Sequence, residues 1–267
     1  MSCCGSCVVG NRCDAAQDAL VHLGFTCIPE DIGVQINWAS GLTGVDPGGS
    51  FQVGLGDPTS VIVGDYSAIV GGLGHSVTGS RSAIVAGDSH TIAADDAFIG
   101  GGDPHSITGN RGAIVGGSSN SVTGDDGFIG GGDRGAATGP RSIVVGGSRG
   151  FSSGADGASI GGGGFPFNGG DRSIVLGGDS PFISGAVDSG IVAGTFHSIT
   201  QFLGLASRGF IGGGNGSFID GGVDSGIMAG RFHSVEGPGA DRSVIVGGNR
   251  HEITGEDSFI AGGSGPD

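Results

Sequence analysis

The sequence has no lysine, one tryptophan, one tyrosine and two methionines, and its 11 basic residues face 26 acidic ones for a formal net charge of −15. A nucleic-acid footprint needs clustered basic residues, so phosphate backbones would be repelled and no nucleic-acid partner is expected. No apolar run approaches the ~20 residues that a membrane helix requires, so no membrane partner is expected either. Met1-Ser2-Cys3-Cys4-Gly5 lacks the basic and apolar regions of a secretory signal, and Sec export is not expected. With one Trp and one Tyr, the chain also lacks the aromatic platforms expected of a sugar-cleaving solenoid. Cysteine is absent beyond Cys27.

Glycine is what the chain has: 64 residues of 267. Such a composition would suggest disorder were the glycines scattered. Instead they sit at fixed offsets from a β-branched residue that recurs about every fifteen positions. We number each row from that residue as position 0: Ile69, Ile84, Ile99, Ile114, Ile129, Val144, Ile160, Val175, Ile191, Ile211, Ile227, Ile245 and Ile260. A short fixed period signals a solenoid, whose repeats bury their apolar faces only by stacking. The expected fold is therefore all-β, a β-solenoid of about thirteen rows.

Positions −1 and +1 trade volume. Ala68 stands with Val70, Ala83 with Val85 and Ala113 with Val115, whereas Phe98 stands with Gly100, Phe128 with Gly130, Phe210 with Gly212 and Phe259 with Ala261. Residues two apart share a face only in a strand, so the exchange identifies a β-strand filling one confined space. Position 0 is apolar as well, so both faces of the strand should be covered. One roll has one interior, and the second cover is most simply another copy of the chain. The position-0 column is thus expected to serve core and oligomer together. A second strand, looking outward with its polar face, is expected around Val77, Ile92, Ile107, Val122, Ile183, Ile199, Ile219, Val235 and Ile253. Glycines following it, at Gly79, Gly109, Gly124, Gly139, Gly154, Gly185, Gly237 and Gly255, read as turns needing positive φ.

Position −3 alternates in sign: Arg81, Asp96, Arg111, Asp126, Arg141, then Asp156 after a one-residue slip, Arg172, Asp188, Arg208, Asp224, Arg242 and Asp257. Stacking places these over one another, so each Arg should gain two acidic neighbours and a one-row slip should set like charges together. Position +6 carries His75, His90, His105, His197, His233 and His251, with Asn120 in one row. Metal ligation and pH sensing are possible uses of such a column. Asn is a poor transition-metal ligand and an adequate turn former, which favours a ring bonded to neighbouring backbone. Asp95-Asp96, Asp103 and Asp125-Asp126 read as solvated turns, since the calcium nonapeptide spacing does not recur.

Residues 1–50 read as a Cys-rich cap or attachment module, with a helix over 14–23 and a strand over 33–38; residues 51–267 read as the repeat domain. The five cysteines Cys3, Cys4, Cys7, Cys13 and Cys27 suit disulfides within or between chains. Zinc at Cys4 and Cys7 with Cys13 and Cys27, or free thiols, are the alternatives. No cofactor and no catalytic set emerge, because each His and nearly every Asp has a periodic reason for its place.

Ser67-Ala68-Ile69-Val70-Gly71-Gly72 followed by His75-Ser76-Val77-Thr78-Gly79 resembles the head repeats of trimeric autotransporter adhesins of the YadA type, over roughly residues 61 to 267. Similar repeats occur in phage and viral fibre proteins. The resemblance implies a left-handed β-roll assembled as a homotrimer, with the Ile-bearing strands toward the axis. The sequence departs from those adhesins in showing no signal sequence, heptad stalk or membrane barrel. The expected function is a structural or adhesive fibre on a virus or phage particle, attached to a base through the N-terminal module and able to meet a host receptor. The alternative is an extracellular filament stacking end to end. An ice-binding surface would want an unbroken Thr rank, and Thr78, Thr108, Thr123, Thr138, Thr200 and Thr254 form a broken one.

Overall fold

The computed structural model describes residues 51–52, 59–154, 156–201, 208–237 and 239–265. The N-terminal module, for which the sequence predicts a helix and a strand and which holds the five cysteines, lies outside the described residues. Among these residues the chain is all-β, and its short strands alternate strictly between two parallel sheets. One is 14-stranded and runs from Phe51–Gln52 through Ala68–Ile69 to Phe259–Ile260; the other is 13-stranded and runs from Val61–Ile62 to Glu252–Ile253. We call them the index sheet and the second sheet. Phe51 pairs with Ala68 and Gln52 with Ile69, so one further strand precedes the thirteen rows. At ~4.8 Å per strand these rows build a rod about 60 Å long.

Both sheets turn their regular apolar residue inward. Position 0 of the index sheet and position +8 of the second sheet meet as one core, with Ile84, Ile99, Ile114, Ile92 and Ile107 all fully buried. Each such Ile contributes about 1.5–3 kcal/mol, and stacking is what excludes the water. The position-0 column therefore lines its own roll. This corrects the expectation that it would also form the oligomer surface: positions −1 and +1 point the other way.

In three consecutive rows position +8 is Ala137, Ser152 and Asn168 rather than a larger apolar residue. The polar pair falls where one row is a residue longer. Ser152 Oγ donates to the Ala158 carbonyl (2.9 Å), and Asn168 Nδ2 donates to the Ser159 and Ser173 carbonyls (3.0 and 2.8 Å). Buried polar side chains here satisfy backbone groups that the slip takes out of register.

Each row has more than two strands and two turns. A third column of single parallel bridges runs at position +4, from Asp103–Ser118 to Asn249–Ser264. Glycine at +3 makes this corner with left-handed φ, as at Gly87 (φ 112°) and Gly117 (φ 95°). Of the turn glycines, Gly185 (φ 68°) and Gly237 (φ 91°) have the expected positive φ, whereas Gly79, Gly109, Gly124 and Gly139 do not. The latter four are required because a Cβ there would strike the carbonyl of the next row, that of Ala94 above Gly79 for example. The left-handed residue of that corner is the charged one at −3: Arg81, Asp96, Arg111 and Asp126 have φ of 57° to 58°.

Candidate functional site

The charged corner resolves into six pairs. Each Arg reaches forward to the acid of the following row: Arg81 to Asp96 (2.6 Å), Arg111 to Asp126 (2.5 Å), Arg172 to Asp188 (2.7 Å), Arg208 to Asp224 (2.5 Å), Arg242 to Asp257 (2.6 Å), and Arg141 to Asp156. The even sharing read from the sequence is not what forms; Asp96 acts on Arg111 only through longer-range attraction. Most pairs are bidentate, with Arg81 Nη2 adding a second bond to Asp96 (2.8 Å). Hydrogen bonds from these guanidinium groups hold the carboxyls of Asp96, Asp126, Asp188 and Asp257 below the usual carboxylate range. The neighbouring Asp95 and Asp125 accept backbone N–H groups, from Ser80 (2.8 Å) and Asn110 (2.9 Å).

The imidazoles at +6 form an internal column. His75, His90, His105, His197 and His233 are buried, and His251, at the last full turn, is partly exposed. Nδ1 accepts the backbone N–H one row on: His90 N–H to His75 (3.2 Å), His105 N–H to His90 (3.0 Å) and Asn120 N–H to His105 (3.1 Å). That fixes the proton on Nε2, which in His75 lies 3.1 Å from the Gly71 carbonyl. In His90, His105, His197 and His233 Nε2 makes no well-aligned bond, though carbonyls such as those of Ala86 and Gly101 lie close enough to favour a proton there. Asn120 reproduces both contacts, donating to the Gly116 carbonyl (2.9 Å) and accepting from Gly135 N–H (2.7 Å). Rings of adjacent rows stack, with centroids 5.0 Å apart for His75–His90 and 4.9 Å for His90–His105. Burial, and then the neighbouring imidazoles, push His90 down from 6.5 to about 4; burial likewise lowers His105, His197 and His233.

A column that the sequence reading missed stands at −2. Ser82 Oγ donates to the Ala94 carbonyl (2.8 Å) while accepting Ala97 N–H (3.0 Å), and Ser67, Ser173 and Ser225 repeat the arrangement. The signal was the recurrence of Ser at one offset. Hydroxyls and carboxylates at the −3 corner and imidazoles at +6 thus do the same task, closing backbone bonds where no strand can. Among the described residues no three His, Cys, Asp or Glu side chains converge as a metal site, and no helix is long and apolar enough to cross a membrane.

What remains unexplained within one copy is the outward face of the index sheet. Val70, Val85, Val115, Val145, Leu176, Val192, Met228 and Val246 stand exposed at +1, and Phe98, Phe128, Ile143, Ile174, Phe210 and Phe259 at −1. In Phe rows the ring lies over the glycine two residues on, with Phe98 Cε1 3.5 Å from where a Gly100 Cβ would be. The volume exchange is therefore real and local. Of these −1 and +1 positions, only Ser159 is polar. A strip about 60 Å by 10 Å, on the order of 600 Å², lies at the upper end of what lone soluble proteins expose.

The second sheet differs outside. It shows Ser76, Thr78, Thr91, Ser106, Thr108, Ser121 and Thr123 over its first rows, then a file of stacked rings: Phe151–Phe167 at 5.4 Å and Phe167–Phe182 at 4.8 Å. The rings stack along the rod and interrupt the hydroxyl rank, so that face is not one flat Thr array. No family model and no curated protein matches the chain.

Proposed function

We propose that this chain is a structural protein, a homotrimeric fibre or spike whose copies pack their index sheets around a common axis. The single observation that carries the reading is the exposed apolar strip at −1 and +1, repeated along the rod. None of the described residues covers it, and an identical strip on each of three copies would. The resemblance of the repeats to trimeric adhesin heads and viral fibre proteins supports the same arrangement. On this reading the protein is not an enzyme: its His, Asp and Ser columns are engaged in holding rows together. Display on a virus or phage particle is the setting we favour, with residues 1–50 as the attachment module and a host-surface receptor as the further partner.

Light scattering on the purified full chain tests the assembly. We expect a fixed mass of three times the 25.8 kDa chain, unchanged over a hundred-fold dilution into the micromolar range. A mass that grows with concentration, with threads under the electron microscope, would instead identify the end-to-end filament. A monodisperse single chain overturns both.

A further inference from the structure

Position +2 is Gly or Ala in all thirteen rows: Gly71, Gly101, Gly116, Gly131 and Gly146 among the glycines, with Ala86, Ala193 and Ala229 as the alanines. The described residues give no reason for this. None of these glycines has left-handed φ, and the three alanines show that the backbone accepts a side chain. A Cβ on Gly131, Gly146, Gly162 or Gly247 would meet nothing within 4 Å, and on Gly71, Gly101, Gly116, Gly177 and Gly213 only ordinary contacts at 3.6 to 3.9 Å. The +3 glycines beside them are the opposite case, strained in φ and blocked by the next row.

This small-residue floor lies beside a file of large exposed apolar side chains. On one side is the +1 file, including Val145 and Leu176. On the other, beyond the +3 glycines, Leu73 at +4 and Phe165, Phe196 and Phe232 at +5 stand more than half exposed in four rows, while the remaining rows carry mainly polar residues there, such as Asp103, Asp133 and Arg134. Together they make a groove along one flank of the index sheet, apolar on its +1 side and mostly polar on the other.

Area argues for what fills it. Around a threefold axis each index face is divided between two neighbours, roughly 300 Å² apiece, whereas a stable interface takes about 800 Å² from each partner. The faces alone fall short, so neighbours must also meet along their flanks. We propose that this groove is the seat of a second copy of the chain: the flank of the next protomer, carrying Phe98, Phe128, Ile143 and Ile174 at −1, lies against the +2 column closely enough that only Gly or Ala fits. The contact is one-directional, groove to knobs, and closes after three copies. It rests on the trimer reading above and adds to it which edge meets which.

The test places bulk on the floor without touching the fold. Gly131→Leu and Gly146→Leu, singly and together, project into space that is empty in one copy. Ala86→Leu and Ala229→Leu extend side chains that already leave the backbone, and so guard against a folding defect. Gly131→Ala, which copies the native alanines, is the control. With full-length protein, light scattering and far-UV circular dichroism, we expect Gly131→Ala to remain trimeric. The Leu variants should keep the β spectrum and lose the trimer by ten-fold or more in apparent dissociation constant. Leu variants that remain trimers of unchanged affinity overturn the groove while leaving the trimer intact. A monomeric wild type removes the trimer reading first, and the groove with it.

Discussion

At the scale of single residues the main requirement is a partner for the corner N–H groups, and the side chains of adjacent rows supply it. His90 shows the cost of choosing imidazole: its Nδ1 accepts the N–H of the next row, so a proton can be added there only by breaking that bond and charging a ring stacked between two others. The groups facing it are His75, His105 and Asp88, of which only Asp88 favours the charged form. Its value in the fold is pushed down to about 4 from 6.5. The unfolded chain therefore binds the proton first as pH falls, and folded stability is complete above about 6.5 and declines between there and about 4. Replacing His75, His90 and His105 together by Asn, which at position 120 already makes both bonds, should flatten the melting temperature across that window. An unchanged acid slope in the triple variant would show that the imidazoles do not govern it. A second contrast concerns glycine. Gly117→Ala, at φ 95° and beneath the Gly132 carbonyl, should cost about 1–3 kcal/mol or more in denaturant unfolding.

At the scale of strands and columns, the charged corner fixes register through pairs rather than through a continuous ladder. Arg111 and Asp126 bond through two oxygens, and the next contact along the column is only long-range. Arg111→Asp sets three acids in consecutive rows and should lower the melting temperature. Arg134→Asp, on the other corner and 3.7 Å from Asp133, should lower it less. Equal losses in thermal melts would remove the register role. The strands themselves were legible in the sequence because volume exchange between Ala68/Val70 and Phe98/Gly100 has meaning only when the two positions share a face. Which face they shared was not legible. Position 0 and positions ±1 are both apolar, and the pattern alone does not say which of two apolar faces turns inward. The second sheet decides it in the structure, since Val77 and Ile92 need a partner across the roll and Ile69 and Ile84 supply it. Of the turn glycines, Gly185 and Gly237 do take positive φ, but Gly79, Gly109, Gly124 and Gly139 are about space, a distinction that depends on the next row's carbonyl. The Ser column was overlooked because serine is also what a solvent-facing turn would carry.

At the scale of the whole molecule the rod has two unlike sides. The second sheet shows hydroxyls and a short file of phenyl rings, whereas the index sheet shows almost nothing polar, and only the latter asks for cover along the full length. If three copies share that cover, their stability depends on protomer concentration, because folding and association are linked. Val145 and Leu176 stand at +1, exposed in one copy at 56% and 50%, so charge placed there leaves the interior of the roll untouched. Around a threefold axis the same substitution brings three carboxylates together in a dry contact, a juxtaposition that costs several kcal/mol. Val145→Asp with Leu176→Asp should therefore give a folded monomer with the parent β spectrum. The melting temperature of the parent should rise with concentration, and that of the variant should not. A variant that keeps the parent mass, or a parent whose melting temperature ignores dilution, would place the apolar strip outside any interface between copies.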